Sequence, residues 1–498
     1  MNLKEGISGA LIASLLGGTP VTGTAGQTDS LEALTPPATE RRVNGVFQQL
    51  IFPAPGDALK VGDAGSTALA VAVEPDSSVS RLIVPHPELL VTAELRPRVD
   101  FWKSVFRTPE TVEIFHNRAY PWIEYDRMDF SAAQDSLPPE QYEAFREKLV
   151  EEKSKEIFSA LKRLSHGETP QNELELKLSR VFAGLPGGTE LLNEAARSQR
   201  MVRSQRGMRD VFELALERTA LYSEIVDGII CSYNLPEEIS LLPVIESGYD
   251  VNAGSYKGAR GMWQFMRSTA RRYGLTVNRV LDERLDPVKA TDAAARYLID
   301  AYQALGSWPL AITSYNHGPY GIRRAIERVG SDRIEDIIAQ ADERGLRRFG
   351  FASANFYAEL LAVRELAAER SLLVIQNGEP EPLRWQEFKL ERNHTIQRIC
   401  EILDVTPDEI RPLNPALKER VWSGRYAVPA GYVLRLPADT PREKLAELAR
   451  DTEPYIVRPG DTLSRIAAVH RVSVRKLKTL NNLNDDLIYP GDKLIVRE

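Results

Sequence analysis

The chain repeats itself near its C-terminal end, and the repeat limits the possible fold more than any other feature. His394-Thr-Ile-Gln-Arg-Ile-Cys400 aligns with Asp461-Thr-Leu-Ser-Arg-Ile-Ala467, and the same offset of 67 residues superposes Val405 on Val472, Leu413 on Leu480 and Asn414 on Asn481. The first copy then carries seven extra residues before Pro429-Ala-Gly431, which matches Tyr489-Pro-Gly491. Each copy reads strand, helix, helix, strand. A unit of about 45 residues has little room for a core, so Ile466 and Leu477 must pack their helices directly on the strands.

The rest of the 498 residues needs further cores, and length alone points to about three domains. With 43% hydrophobic and 27% charged residues the chain is of ordinary globular composition. Its net charge of −7 argues against a nucleic-acid partner, which favours a basic surface. No run of 18 apolar residues occurs, so no transmembrane helix is expected. Lys4 followed by the apolar stretch Ile7 to Leu16 and small residues through Ala25 has the layout of a secretory signal, which points to export. No cysteine follows that stretch to carry a lipid. Cys231 and Cys400 lie far apart without metal-ligand spacing and read as small buried thiols.

Along the chain, residues 1–26 read as a signal segment and 27–95, rich in Gly, Pro, Thr and Ser, as a linker or loosely packed stretch. Residues 96–234 read as a helical region whose aromatic cluster (Phe101, Trp102, Phe106, Phe115, Tyr120, Trp122, Tyr125) serves helix packing. Its helices are expected over Glu140 to Leu164 and Met208 to Tyr233. Residues 235–373 continue mostly helical, with segments at Arg267 to Tyr273, Pro287 to Leu305, Trp308 to Tyr315, Gly321 to Val329 and Ser353 to Ala368. The repeats occupy 383–437 and 454–498, with 438–453 between them.

Four blocks follow one another in the helical part: Leu242-Pro-Val-Ile-Glu246-Ser247-Gly-Tyr249, Ser255-Tyr-Lys-Gly258-Ala-Arg-Gly261-Met262-Trp263-Gln264, Ser314-Tyr315-Asn316-His-Gly318, and Phe356-Tyr357. Together, in this order, they resemble the lysozyme-like catalytic domain of the soluble-lytic-transglycosylase family. The likeness covers about a quarter of the chain. The repeats resemble LysM, a module that recognises N-acetylglucosamine-containing glycans. Gly460, Asp461, Thr462, Asn482, Pro490 and Gly491 of the second copy match its pattern. In the first copy His394 replaces the Asp and a Gly-Asp turn is missing, which weakens the expectation of glycan binding there. The implied architecture is mainly α: a helical N-terminal region, a lysozyme-like domain, and two small βααβ repeats.

Glycan cleavage needs an acid, because an ether-like oxygen leaves only if it is protonated as the bond breaks. A carboxyl group in apolar surroundings holds its proton near neutrality. Glu246 ends the apolar segment Ile239 to Ile245 and is the candidate. Most glycosidases add a second carboxylate, and none stands in the four blocks. Asp250, the nearest acid in sequence, is given no role. The resemblance implies a one-acid reaction in which the substrate's N-acetyl group stabilises the developing positive charge. Glu246 then acts as base on the muramyl 6-hydroxyl, giving a 1,6-anhydro end with no metal or cofactor.

The resemblance also implies that Ser255 hydrogen-bonds the sugar and that Met262 and Gln264 line the cleft. Tyr315 would hydrogen-bond Glu246, and Asn316 would brace its loop. Ser247 reads as a structural hydrogen-bonder, since no base with an orienting group accompanies it. His317 reads as a surface-loop residue, and either Phe356 or Tyr357 matches the family's substrate-side aromatic. Peptidoglycan glycan strands are the implied partner. A hydrolytic muramidase of the same fold, or a non-catalytic wall-binding scaffold, are the alternatives.

Overall fold

The computed structural model describes residues 86–374, 382–450, 455–470, 472–481, 483 and 485–496. The expected signal segment and most of the expected linker lie outside the described residues, as does Asn482. Among the described residues no helix is long and apolar enough to cross a membrane.

The first layer starts with helix α1 (Arg96–Arg107), which buries Val99, Phe101, Trp102, Val105 and Phe106. Strands β1 (Val112–Asn117) and β2 (Glu124–Asp129) follow, then the long helix α2 (Pro139–Ser165) and helix α3 (Glu173–Ala183). Strand β3 (Val202–Arg206) completes an antiparallel sheet in the order β2-β1-β3. The region expected to be helical therefore also holds a sheet. Phe115, Tyr125, Ile157, Leu161, Leu178 and Phe182 form its own small core.

Helix α4 (Arg209–Ser232) leads into the second layer and buries Phe212, Ala215, Tyr222, Val226 and Ile230. It is followed by the six-residue helix α5 (Leu242–Ser247). Helix α6 (Pro287–Leu305) shows why such a segment is helical. Asp286 caps it by accepting from the N–H groups of Val288 and Lys289, Pro287 starts it, and Gly306 at φ 80° ends it. Helices α7 (Trp308–His317) and α8 (Pro319–Val329) pack beside it. The central element is α9 (Phe351–Val374), apolar on most sides, with Leu360, Leu361, Ala362 and Val363 fully buried. It contacts α1, α5 and α7.

Two hydrogen-bonded crossings fasten the first layer to the second. Asn355 Oδ1 of α9 accepts from Arg98 Nη1 at 2.9 Å and Trp102 Nε1 at 3.0 Å. Arg364 pairs with the buried Glu238 at 3.2 Å and donates to the carbonyl of Leu89 at 2.6 Å. Residues 86–95, read as the end of a linker, are thus pinned to the helical body, with Leu89 and Leu95 buried.

The C-terminal repeats have their expected form. In the first, β4 (Trp385–Lys389) pairs antiparallel with β5 (Val433–Pro437), enclosing helices α10 (Ile396–Leu403) and α11 (Pro407–Ile410). Helix α12 (Arg442–Arg450) follows. In the second, β6 (Tyr455–Ile456) pairs with β7 (Lys493–Leu494) around α13 (Leu463–Val469) and α14 (Val474–Leu480). One asparagine clasps each unit in the same way. Asn414 donates to the carbonyls of Ile410 and Arg435 and accepts from the Arg435 N–H. Asn481 does so with Leu477 and Ile495. The seven-residue insertion sits between the two ends of the first clasp and leaves it intact. Ile466 and Leu477 are buried in the second unit.

The first repeat is fused to the helical body. Leu281 enters its core, Asp282 N–H donates to Ala416 at 2.8 Å, and Lys418 N–H donates to Val280 at 3.0 Å. Arg435 makes a buried ion pair with Asp286 at 3.0 Å. Both cysteines are free. Cys400 is part-buried, but Cys231 is exposed near the end of α4, contrary to the buried reading.

Candidate active site

Helix α5 exists to hold one residue at a fixed angle. Leu242, Pro243 and Val244 anchor it in the core, and Gly248 at φ 60° stops it directly after Glu246-Ser247. Glu246 is part-buried at the end of this apolar wedge. Among the described residues no hydrogen bond or ion pair reaches its carboxyl group. Burial alone acts on it, pushing it up to about 8. It therefore carries its proton at neutral pH.

The facing loop is built from tight turns. Ser255 N–H donates to the Ala259 carbonyl, and the Ser255 hydroxyl accepts from Ala259 N–H, each at 3.0 Å. Gly261, at φ 80°, comes so close to the chain that a Cβ there would meet the Arg284 carbonyl at 1.8 Å. Arg284 in turn donates to the carbonyls of Gly258 at 2.8 Å and Phe265 at 3.1 Å while pairing with Asp282. Gln264 adopts a left-handed φ of 47° and folds its amide onto the Gly261 carbonyl at 2.8 Å.

Ser255 and Gln264 are part-buried in this loop, whereas Met262 is fully buried. Its side chain is buried in the main core, because the loop's apolar residues, with Trp263, anchor it from below. Ser247 is structural as expected from its chemistry, donating its hydroxyl to Met262.

Tyr315 packs its ring on Trp263, Phe265 and Tyr297. Its hydroxyl donates to the Trp263 carbonyl at 2.8 Å and not to Glu246, as the resemblance had implied. Tyr297 donates likewise to Ser314 at 3.1 Å. Burial, then the charge of Glu246, pushes the pKa of the Tyr315 hydroxyl well above its ordinary value and so suppresses its ionisation. For Tyr297 burial again leads, with Glu246 adding, and the hydroxyl is pushed up to about 12. Two neutral phenols therefore lie within electrostatic reach of the acid. Asn316 accepts from Ser353 of α9 at 3.0 Å, bracing the end of α7. His317 also bonds Ser353 and is part-buried, with burial first and Arg324 second lowering its basicity. It is not a free surface residue. Phe356 and Tyr357 are both buried.

One acid near Glu246 escaped the motifs. Glu359 lies on α9, which packs on α5, and is part-buried. Burial, and then the charge of Glu246, pushes its carboxyl up to about 8, while Arg203 acts in the opposite direction. Its signal in sequence is weak but present: an acid within the otherwise apolar stretch Phe356 to Val363.

In the second repeat, Asp461 caps its turn by accepting from Arg458 N–H at 2.8 Å and from the Tyr455 hydroxyl at 2.6 Å. Thr462 caps α13. Gly460 and Gly491 take φ of 86° and 98°. Beside Pro490, Tyr489 and Leu487 are exposed.

The helical body thus holds an acid with no partner among the described residues, and a clasped βααβ unit follows it in the chain. Residues 231–338 match the transglycosylase SLT domain, and residues 455–497 match the LysM domain. The chain is 27% identical over 301 residues to membrane-bound lytic murein transglycosylase D of Escherichia coli (strain K12), covering 56% of this chain and 64% of that protein. It is 29% identical over 150 residues to membrane-bound lytic murein transglycosylase F of Maricaulis maris (strain MCS10), covering 26% of this chain and 31% of that one. The chain thus spans somewhat less than two thirds of the length of the curated relatives it matches.

Proposed function

We propose that the protein is a lytic transglycosylase of peptidoglycan, cutting the bond between N-acetylmuramic acid and N-acetylglucosamine. The observation that carries this reading is the Glu246 carboxyl, protonated at neutral pH by burial and bonded to nothing among the described residues. A neutral carboxyl beside an open loop has a proton to give. It passes that proton to the glycosidic oxygen as the bond to carbon 1 breaks, while the substrate's N-acetyl oxygen stabilises the cationic carbon. The Glu246 carboxylate then removes the proton of the muramyl 6-hydroxyl, whose oxygen closes on carbon 1. The acid is restored and a 1,6-anhydromuramyl end results, without water.

Ser255 and Gln264 belong to the sugar-binding side, while Tyr315 and Asn316 hold the frame around the acid. The LysM module keeps the enzyme on its insoluble substrate through Gly460, Asp461, Thr462, Asn482, Pro490 and Gly491. The location that suits this work is the cell envelope, reached by export. Digestion of purified sacculi tests the reading by product mass. Anhydro ends, lighter than hydrolysed ends by one water, are expected from the native protein and none from Glu246→Gln. Reducing ends alone would identify a muramidase instead, and no products from the native protein would leave only a wall-binding scaffold.

A further inference from the structure

Between residues 254 and 284 the chain changes sign. Seven Lys and Arg stand there against two acids, in a protein whose net charge is −7. Both acids are already paired: Asp282 takes two nitrogens of Arg284, and Glu283 pairs with Lys289. The acids of α6 are committed as well, Asp292 to Arg296 and Asp300 to the Tyr273 hydroxyl. Lys257, Arg260, Arg267, Arg271, Arg272 and Arg279 are all exposed. None of them makes an ion pair among the described residues.

These cations share more than a stretch of sequence. Arg267 and Arg271 lie one turn apart on the short helix Arg267–Arg272, and both donate to one acceptor. Their Nη2 atoms reach the Val277 carbonyl at 3.3 and 3.0 Å. Lys418, from the first repeat, donates its Nζ to the next carbonyl, Asn278, at 2.7 Å and stands 4.0 Å from Asp282. Three positive heads, from the helical body and from the repeat, therefore gather on two consecutive carbonyls. Lys418 feels the crowding: burial first, and then Arg267, Arg284 and Arg260 against the pull of Asp282, hold its basicity down. Arg267 and Arg271 each use one of five N–H donors on Val277 and make no other hydrogen bond among the described residues.

Like charges gathered this way repel, solvent screens them only in part, and an anion among them turns repulsion into attraction. Guanidinium forks match carboxylates in particular. The patch continues the candidate cleft. Arg260 lies within the loop that carries Ser255 and Gln264, and Arg267 follows Gln264 by three residues. Arg284 ties the two parts together by donating to Gly258 and Phe265 while it holds Asp282. Exposed Tyr256 and Met266 set apolar surface among the cations. A muramyl unit held on this loop carries, on its lactyl group, a short peptide with free carboxylates and alanine methyls. We propose that the patch centred on Arg267, Arg271 and Lys418 is a subsite for the carboxylates of that stem peptide. This rests on peptidoglycan being the substrate. By lending Lys418, the first repeat takes part in recognition.

The test compares soluble glycan strands that keep their stem peptides with the same strands stripped by an amidase, both cut by the full chain. The native protein should favour stem-bearing strands through a lower KM, and added salt should shrink that preference. Arg267→Gln combined with Arg271→Gln should raise KM for stem-bearing strands by roughly fivefold, with kcat unchanged and no loss on stripped strands. Lys418→Gln should act in the same direction, more weakly, without disturbing the helix of the two arginines. Arg267→Lys combined with Arg271→Lys should keep the preference. Equal KM for both strands in the native protein, or an equal loss on both in the variants, overturns the proposal. Calorimetric titration of Glu246→Gln with a muramyl tripeptide separates it from the cleavage reading. Amidating the peptide's carboxylates should weaken binding, and adding the two Arg→Gln changes should abolish that difference, even if the native protein cuts nothing. Equal affinity for both forms rejects the subsite. Pelleting with phosphatidylglycerol vesicles that needs the two arginines, together with equal affinity for both peptides, would assign the patch to a membrane surface and likewise overturn the proposal.

Discussion

Ser247 donates its hydroxyl to the carbonyl of Met262 at 2.8 Å, tying the residue beside the catalytic candidate to the loop opposite. The bond is buried, and it adds to the core anchors that fix helix α5 relative to the 254–265 loop. Ser247→Ala leaves the Met262 carbonyl without that donor. Stability should fall by about 1 kcal/mol, a few degrees in Tm. Cutting should fall further, by on the order of tenfold, since small misplacements of reacting groups are costly. Thermal melts alongside kcat/KM separate the two effects.

Glu246 also sets a stability cost. Its pKa is about 8 in the fold against 4.5 without burial, so between those pH values the folded state holds a proton that the unfolded chain has released. Stability therefore falls as pH rises from about 4.5 to 8, and it levels off once both states are ionised. Replacing the acid by Gln removes that slope. At pH 7 the variant should be more stable by at most about 3 kcal/mol, taking about 1.4 kcal/mol per pH unit. Near pH 4 the two should melt together, and denaturant curves at both pH values check it.

The buried pair Arg435–Asp286 joins the first repeat to the cap of α6. Arg435→Ala leaves Asp286 buried without its cation. The expected loss is about 3–5 kcal/mol, seen as a lower urea midpoint. Limited proteolysis should show early cleavage between 375 and 450, because the repeat detaches before the helical body opens.

Deleting residues 455–498 should leave cutting of soluble fragments intact and weaken sedimentation with insoluble peptidoglycan. Tethering raises the local concentration of substrate only where many binding points exist. The loss should therefore be larger on whole sacculi than on soluble strands, and comparing the two substrates checks it.

Much of this was legible in the chain. Period and punctuation located five helices of 235–373, three of them ended by Gly306, Gly318 and Gly330, while the short helices Leu242–Ser247 and Ile334–Gln340 were not foreseen. The repeat was legible because the residues from His394 to Asn414 keep a constant offset from those between Asp461 and Asn481, the insertion falling only after the asparagine. The sheet of the N-terminal layer was not. Val202-Arg-Ser-Gln-Arg206 has no apolar alternation, and its partner strand β1 lies some 85 residues earlier, so only tertiary pairing makes it a strand. Glu359 and Arg203 were missed for the same reason, since a charge on a buried face looks like any other charge until its neighbours are known. Tyr315 sits near Glu246 as expected, but sequence does not say which acceptor a hydroxyl will choose.

The fusion of the first repeat carries a practical lesson about where this chain can be trimmed. Asp282 and Asp286, which grip that repeat, flank Arg284, the side chain that props the cleft loop from beneath. A fragment stopped near residue 380, at the apparent end of the helical body, would lose the scaffolding on the far side of that prop. A fragment meant to keep the cleft loop in place should therefore extend through Pro437, since the first repeat, whatever its pattern suggests, serves as part of the helical body's foundation.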